Sequence, residues 1–150
     1  NQLQPTLLDE RKEAIREILG VSDENVFINQ PFYCDYGKHI RVGKRFFANF
    51  CLTILDEALV TFGDDCFVGP NVSIYTACHA TAPRVRNTRQ EWALPVTIGD
   101  NVWIGGSVTI LPGVTIGNNV TIGSNVFLLE SIPNNRKVTL PNPVLIVKEK

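Results

Sequence analysis

Hydrophobic and polar positions follow a period of six residues through the second half of the chain. From residue 96 the sequence reads VTIGDN, VWIGGS, VTILPG, VTIGNN, VTIGSN and VFLLES, six hexapeptides without an insertion. Each unit begins with Val, and its third residue is Ile in the first five units and Leu in the last. The period excludes an amphipathic helix, whose apolar residues recur every three or four positions, and the Val, Thr and Ile content favours short strands.

Regular turns between these strands predict a triangular prism. The Gly and Asn residues that follow the Ile positions tolerate positive φ, so we expect the chain to bend after every hexapeptide and to form three flat faces. Three hexapeptides then complete one coil, and successive coils pair as parallel strands. This geometry predicts that Ile98 stacks on Ile116, and Ile104 on Ile122, in a continuous aliphatic core.

The same rhythm predicts how the rest of the chain is organised. It runs less regularly through the first half, with a two-residue slip between residues 56 and 59, so we predict prism coils at 27–76 and 94–132. Residues 77–93 break the repeat and carry three arginines, which indicates an external loop. Long loops on rigid scaffolds often carry function.

The two ends of the chain are expected to complete one domain of residues 1–150. An amphipathic pattern predicts a helix within residues 1–20. Residues 133–150 contain three prolines and the run VLIVKEK, which indicate a tail with a turn followed by a returning strand.

Composition limits the classes of function. Fourteen Lys and Arg against fifteen Asp and Glu give a net charge of -1, so nothing attracts the protein to nucleic acid or to anionic lipid. No apolar run approaches the roughly 20 residues that cross a bilayer, and the first residues lack the blocks of a signal peptide. We therefore expect a soluble, cytoplasmic protein without nucleic-acid or membrane partners.

The cysteines indicate neither a metal site nor a redox motif. Cys34, Cys51, Cys66 and Cys78 lie 12 to 17 residues apart and include no C-x-x-C pair. We interpret them as reduced thiols, with Cys51 and Cys66 acting as small hydrophobic residues.

Several longer strings carry a resemblance to a known family. PFYCDYGKHIRVGKRFFANF, VGPNVSIYTACHA and PVTIGDNVWIGGSVTILPGVTIG resemble the hexapeptide-repeat acyltransferases, and within them the maltose and galactoside O-acetyltransferase subgroup. The resemblance extends over most of residues 10–133. It implies a mainly β fold, a left-handed parallel β-helix with a short N-terminal helix and an external loop. The handedness comes from the family and would be an exception to the usual right-handed crossover.

The resemblance also implies an enzyme and its catalytic residue. Members of the subgroup move an acetyl group from acetyl-CoA to a sugar hydroxyl in a ternary complex, and they require no metal. In these relatives three prisms associate, and each active site lies between two subunits. This chain is accordingly expected to be a homotrimer. His79, in YTACHA, falls at the position of the catalytic histidine, where an imidazole takes the proton of the acceptor hydroxyl. His39 is interpreted as a structural hydrogen-bonding residue.

Three residues are predicted to contact the acceptor on the same resemblance. Glu91 resembles a loop glutamate that orients the imidazole or holds the acceptor; alternatively it is a solvated charge. Asn49, in FANF, matches a residue that hydrogen-bonds the acceptor; alternatively it turns a corner. Asp56 matches an acidic position near the acceptor; alternatively it caps the turn where the repeat slips.

Four residues are predicted to contact the coenzyme. Gly105 and Gly106 occupy the place where relatives direct a backbone N–H towards the thioester oxygen. Trp103 replaces the Thr of other hexapeptides and is expected to form a wall of the acyl or pantetheine channel, or alternatively to lie between subunits. Ser124 is assigned to the coenzyme site as well.

The chain departs from the subgroup near its C-terminus. Where relatives read AGSVVTKDIP, this chain reads SNVFLLESIP, so Leu129 replaces a hydroxyl residue and Glu130 a Lys beside the coenzyme phosphates. Pro141, Asn142 and Pro143 replace a Gly-Asn-Pro turn. Charge reversal and the loss of an amide donor predict weaker coenzyme A binding. A non-catalytic trimeric scaffold or regulatory paralogue is therefore the alternative function.

A zinc enzyme of the γ-carbonic anhydrase type also uses this prism. Such a site needs three histidine ligands, and the sequence contains only two histidines. We therefore predict no metal site.

Overall fold

Residues 8–20 and 25–140 are described by the structure, a computed structural model of the chain. Short parallel strands wind through this part of the chain as a β-helix, which confirms the predicted mainly β fold. Helix α1 (Leu8–Ile18) precedes the strands, and the single-turn helix α2 (Pro83–Arg86) lies in the loop.

The strands are two to four residues long because the chain turns after nearly every one of them. The first half of the chain contains β1 (Phe27–Ile28), β2 (Phe32–Cys34), β3 (Ile40–Val42), β4 (Phe47–Ala48), β5 (Leu52–Leu55), β6 (Val60–Phe62), β7 (Phe67–Val68), β8 (Ser73–Tyr75) and β9 (Ala77–His79). The second half contains β10 (Glu91–Ala93), β11 (Val96–Ile98), β12 (Trp103–Ile104), β13 (Thr109–Ile110), β14 (Thr115–Ile116), β15 (Thr121–Ile122), β16 (Phe127–Leu128) and β17 (Lys137–Val138).

Three parallel sheets form the faces of the prism. Face A contains β3, β6, β11 and β14; face B contains β1, β4, β7, β12, β15 and β17; face C contains β2, β5, β8, β13 and β16. Ile98 pairs with Ile116 on face A and Ile104 with Ile122 on face B, as the hexapeptide register predicts. The interior consists of these stacked aliphatic side chains, each almost fully buried.

The two-residue slip is accommodated at the corner between faces C and A. Val42 pairs with Phe62, twenty positions later, whereas the regular coil brings residues eighteen positions apart together. The hydroxyl of the buried Thr76 holds the longer turn, since it donates to the Leu55 carbonyl at 2.7 Å and accepts from the Ala58 amide at 3.0 Å. The inserted residues therefore leave the stacking of the core unchanged.

The prediction that Gly and Asn supply the positive φ angles is confirmed for Asn but wrong for the glycines that directly follow Ile. Positive φ lies two positions further along, at residues such as Asn101, Asn119 and Asn125. Gly105 is needed for close packing instead, because a Cβ atom there would lie 2.6 Å from the Ser124 amide nitrogen of the next coil. Glycine thus lets the coils approach, and Asn turns the corners.

In four successive coils, the corner between faces A and B carries an Asp or Asn, and we call these residues the corner ladder: Asp64, Asp100, Asn118 and Asn134. The Asp64 amide donates to Asp100 Oδ1 at 2.8 Å, and the Asp100 amide donates to Asn118 Oδ1 at 2.9 Å. The Asn118 amide donates to Asn134 Oδ1 at 2.8 Å. Each coil therefore satisfies a corner amide of the coil before it.

Helix α1 covers the first coils. Its Ile15 and the following Leu19 are buried, and the Arg11 guanidinium lies 4.8 Å from the centroid of the Phe27 ring. The Gly20 amide donates to the Ile40 carbonyl at 3.0 Å, which fixes the end of the helix segment to β3. Among the described residues, no helix has the length and apolar character needed to cross a membrane.

The loop of residues 77–93 leaves the prism after β8 as an antiparallel pair of strands. β9 and β10 pair so that His79 lies opposite Glu91, and α2 lies in the connection between them. Residues 81–90 are all exposed.

Beyond the hexapeptides, β17 pairs with β15 and adds a strand to face B inside the segment expected to form a tail. The run VLIVKEK, predicted as a returning strand, lies outside the described residues.

Candidate functional site

His79 and Glu91 form a pair at the base of the loop. The antiparallel register places them directly opposite each other, and His79 Nε2 lies 3.7 Å from Glu91 Oε2. Both side chains are more than half exposed, at 55% and 60%. An exposed imidazole beside a carboxylate is open to a substrate hydroxyl.

Asp56 lies in a different environment from the other predicted acceptor residues. It is fully buried, and its Oδ1 accepts from the Asp35 and Tyr36 amides at 3.0 Å each. Its Oδ2 lies 3.4 Å from the His39 amide nitrogen, which donates to it. In this position the carboxylate holds the turn before β3, whereas Asp35 and Glu57 at this corner are exposed. We therefore do not carry Asp56 into the acceptor site proposed below.

His39 is part of the same turn. Its Nδ1 lies 2.6 Å from the Asp56 carbonyl oxygen, and its ring makes a tilted contact with Tyr36 at 5.4 Å between centroids. These contacts agree with the structural interpretation of His39.

A cleft on the outer surface of face B contains the remaining predicted residues. Its volume is about 280 Å³. Ten residues line it: Phe47, Asn49, Phe67, Val68, Gly69, Pro70, Trp103, Gly105, Gly106 and Ser124. The structure therefore brings together Asn49, assigned to the acceptor, and all four residues assigned to the coenzyme.

Asn49 is held in one orientation in this cleft. Its Oδ1 accepts from the Phe50 amide at 2.8 Å, which fixes the side-chain oxygen and leaves the Nδ2 group to donate to a ligand. A donor of this kind suits an acceptor oxygen.

The two glycines of the cleft differ in the use of their amides. The Gly105 amide donates to the Ile122 carbonyl of the next coil at 2.7 Å. Among the described residues, the Gly106 amide has no such backbone acceptor, so Gly106 carries the candidate donor to a thioester oxygen. Gly69 allows this arrangement, because a Cβ atom there would lie 2.7 Å from the Gly106 nitrogen.

Sequence analysis missed the aromatic side of the cleft. Phe47 and Phe67 each precede an inward-facing residue of face B, as Trp103 does, and the register aligns the three side chains in one row. The signal was an aromatic residue in the second position of the face B hexapeptide in successive coils. Neither His79 nor Glu91 lines this cleft.

The cysteines do not belong to the site. Burial raises the pKa of the Cys66 thiol to about 11, and its Sγ donates to the Gly99 carbonyl at 3.1 Å. Burial, with the negative charges of Asp56 and Asp35, raises the pKa of Cys34 as well. All four cysteines are free thiols. The described residues contain no group of three or more His, Cys, Asp or Glu side chains arranged to hold a metal ion.

Comparisons with known proteins decide the family. The family model described as bacterial transferase hexapeptide (six repeats) matches residues 95–129. A galactoside acetyltransferase solved in complex with coenzyme A is 39% identical, with a TM-score of 0.89 over 91% of this chain and 68% of that one. A maltose O-acetyltransferase from Clostridium difficile 630 is 41% identical, with a TM-score of 0.90 over 91% and 73%. The chain belongs to the hexapeptide-repeat acetyltransferases of the galactoside and maltose O-acetyltransferase type.

The chain spans about half the length of the curated relatives it matches. The galactoside O-acetyltransferase of Escherichia coli (strain K12) is 39% identical over 114 residues, which are 76% of this chain and 56% of that protein.

The first of the departures noted near the C-terminus lies on the surface of the prism. Leu129 and Glu130 follow β16 and are both exposed, Leu129 at 66%. Residues 141–143, the second departure, lie outside the described residues.

Proposed function

We propose that this chain transfers the acetyl group of acetyl-CoA to a hydroxyl of a sugar or a similar small acceptor, with His79 as general base. The exposed imidazole of His79, 3.7 Å from the Glu91 carboxylate at the base of the loop, carries the proposal. The relative solved in complex with coenzyme A supports the choice of co-substrate.

The reaction needs one proton acceptor and one oxyanion donor. The acceptor hydroxyl gives its proton to the imidazole while its oxygen attacks the thioester carbon, and the C–S bond then breaks, with the thiolate taking the proton from the imidazolium. Glu91 stabilises the imidazolium formed in between. The Gly106 amide donates to the developing oxyanion, a contact worth roughly 3 kcal/mol in comparable sites.

The cleft divides between the two substrates in this proposal. Asn49 Nδ2 binds an oxygen of the acceptor, and Trp103 and Ser124 line the path of the coenzyme. Ligand sites of this kind are mostly apolar, with a few polar groups that fix orientation.

We further propose that the enzyme is a homotrimer with each active site shared by two subunits. Within one chain, His79 and Glu91 lie outside the cleft that holds Asn49 and Gly106. A second subunit that brings its own loop to this cleft completes the site. The cytoplasmic location expected from the sequence stays a prediction.

The His79→Ala variant tests the mechanism. We expect its turnover, followed as thiol release from acetyl-CoA with a panel of sugars, to fall by at least about a hundredfold, the usual contribution of a general base. The oligomeric mass should be unchanged, because the exposed ring makes no packing contact that the fold needs. Turnover close to that of the unmodified protein would remove His79 from the mechanism.

The second candidate function is a non-catalytic scaffold or regulatory protein. The exposed Glu130 and Leu129, where relatives carry a Lys and a hydroxyl residue, favour it because they weaken phosphate binding. Calorimetric titration of the intact protein with coenzyme A separates the two candidates. The acetyltransferase binds the coenzyme, and the absence of detectable binding would favour the scaffold.

A further inference from the structure

The loop of residues 77–93 carries the charge that the cleft lacks. The ten described residues that line the cleft include no charged side chain. The loop contains Arg84, Arg86 and Arg89, which we call the arginine cluster, against one acidic residue, Glu91, although the whole chain has a net charge of -1. Positive charge is therefore concentrated on the segment that holds the proposed general base.

Internal hydrogen bonds shape the tip of this loop. The Arg86 amide donates to the Ala82 carbonyl at 3.0 Å, and the Arg89 amide donates to the Arg86 carbonyl at 2.9 Å. The Thr88 hydroxyl donates to the Val85 carbonyl at 2.7 Å. The backbone that carries the arginine cluster thus has a defined conformation, although the residues of the cluster are exposed.

Arg86 holds its guanidinium group close to the proposed general base. Its Nη1 donates to the Ala80 carbonyl at 3.2 Å and to the Thr81 carbonyl at 3.1 Å. Ala80 directly follows His79, and consecutive Cα atoms are about 3.8 Å apart, so Arg86 Nη1 lies within about 10 Å of the His79 Cα atom. A small acceptor with one hydroxyl at the imidazole can therefore place a second group at this guanidinium.

The arginine cluster has donors available for a ligand. Among the described residues, the Arg84 and Arg89 side chains make no hydrogen bond or ion pair, and Arg86 uses only Nη1. The nearby carboxylate of Glu91 lies against His79, at 3.7 Å from its Nε2. A planar guanidinium donates two parallel hydrogen bonds to a carboxylate or a phosphate, which an ammonium group cannot do, and the loop contains no Lys. The cluster therefore suits an anion better than a neutral hydroxyl group.

We propose that the arginine cluster binds an anionic group, a carboxylate or a phosphate, on the acceptor. The inference rests on the proposed acetyl transfer and names its acceptor class, a sugar or similar hydroxyl compound that carries negative charge. Because the loop brings His79 to the cleft, it brings the cluster to the acceptor as well. Complementary charge then raises both the rate of encounter and the discrimination against neutral acceptors.

The phosphates of coenzyme A are a second source of the same chemistry. When the acetyl group lies at His79, these phosphates are at the far end of the pantetheine arm. The chain of this arm is about as long as four extended residues, roughly 13 Å. The acceptor, which contacts the imidazole itself, is therefore the closer source of an anion for Arg86.

The loop supplies its own test variant. Arg84→Gln/Arg89→Gln removes two charges from side chains without described partners and keeps the Arg86 contacts that hold the loop, so this variant is expected to fold. The matched control is Arg41→Gln/Lys44→Gln. It removes the same charge from exposed residues of β3 and the turn after it, outside the loop and the cleft.

The measurement compares two pairs of acceptors, with acetyl-CoA as donor. Each pair contains an anionic compound and its neutral amide of the same size: the carboxymethyl glycoside of one sugar, and the methyl glycoside of its uronic acid. We expect the anionic member of at least one pair to have a kcat/KM at least about tenfold higher in the unmodified protein and in the control. In Arg84→Gln/Arg89→Gln this ratio should fall towards one.

Several results would overturn the inference. The first two are a ratio near one for both pairs in the unmodified protein and a high ratio that persists in Arg84→Gln/Arg89→Gln. A higher KM for acetyl-CoA in that variant, with the acceptor ratio unchanged, would assign the cluster to the coenzyme phosphates. An equal fall of the ratio in the control would assign the preference to the overall charge of the protein. A change of oligomeric mass in Arg84→Gln/Arg89→Gln alone, measured by light scattering, would assign the cluster to a contact between subunits.

Failure of the proposed function gives a different result. If none of the acceptors is acetylated, the acetyltransferase proposal is contradicted, and calorimetric titration of the same three proteins with both pairs then decides the inference. Tighter binding of an anionic member than of its amide, lost in Arg84→Gln/Arg89→Gln alone, supports the arginine cluster as its site. Equal binding within both pairs overturns it.

Discussion

Asp56 shows what a buried carboxylate does when backbone amides surround it. Both of its oxygens accept from amides of residues 35–39, and its side chain has no exposed surface. Removing an acceptor from buried donors leaves those donors unpaired, which costs more than the net gain from an ordinary hydrogen bond. The carboxylate therefore stabilises the turn that leads into β3.

We expect Asp56→Asn to lower the free energy of unfolding by about 1–3 kcal/mol, because the amide group faces backbone donors with a donor of its own. Urea denaturation of the variant measures this change. Glu57→Gln is the matched control: its side chain is exposed, and it should change the stability by less than about 0.5 kcal/mol. Equal stabilities of the two variants would contradict the role given to Asp56.

Individual site residues could be predicted where they belong to a distinctive sequence string. His79, Asn49 and Trp103 were assigned from such strings, and the structure places Asn49 and Trp103 in one cleft and His79 beside Glu91. Phe67 was not assigned, because a Phe in a strand equally indicates ordinary β propensity. Its importance appears only when β12, far along the chain, places Trp103 beside it.

At the scale of the strands and coils, the register was the most predictable property. A side-chain repeat of fixed length leaves one way of stacking the apolar positions, so the partners of Ile98 and Ile104 followed from the sequence. The antiparallel pairing of β9 with β10 was not predicted, because the loop sequence has no alternation of apolar and polar residues. β17 has only two residues and lies outside the hexapeptide repeat, so the sequence pattern did not predict it. Its place on face B is set by its pairing with β15.

The close stacking of the coils predicts different effects at two adjacent glycines. An added Cβ at Gly105 would lie 2.6 Å from the Ser124 nitrogen, whereas at Gly106 the nearest atom, Pro70 Cδ, is 3.3 Å away. We expect Gly105→Ala to lower the free energy of unfolding by about 1–3 kcal/mol, the range for overpacked sites, and Gly106→Ala by clearly less. Thermal or urea unfolding of both variants measures the difference. A greater loss in Gly106→Ala would show that the spacing of the coils is not what requires glycine.

At the scale of the whole molecule, the residues proposed for binding and catalysis fall into two groups, one on the loop and one in the cleft. His79 and Glu91 lie on the loop, and Asn49, Trp103 and Gly106 lie in the cleft on face B. The sequence alone did not indicate this division, because the division depends on the corner of the prism at which the chain leaves to form the loop. In a closed ring of three identical subunits, every cleft faces the same surface of a neighbouring subunit.

Mixed oligomers test whether the site is shared. His79→Ala and Trp103→Ala, each expected to be nearly inactive alone, are unfolded together in equal amounts and refolded. If the loop and the cleft come from different subunits, random mixing restores about a quarter of the sites, because a chain with intact His79 then lies beside a chain with an intact cleft. Refolding each variant separately is the control. Activity in the mixture no higher than the sum of the controls would assign each site to one chain.

The corner ladder has a consequence for how this molecule changes length in evolution. Asp64, Asp100 and Asn118 each accept a hydrogen bond from an amide of the coil before and donate their own amide to the coil after, so these three coils present the same pair of connections. Inserting or deleting one complete coil joins an equivalent donor to an equivalent acceptor and leaves no corner amide of the ladder without its partner. A partial coil breaks this correspondence. Gene duplications that add whole turns can therefore lengthen the prism without altering the face that carries the cleft.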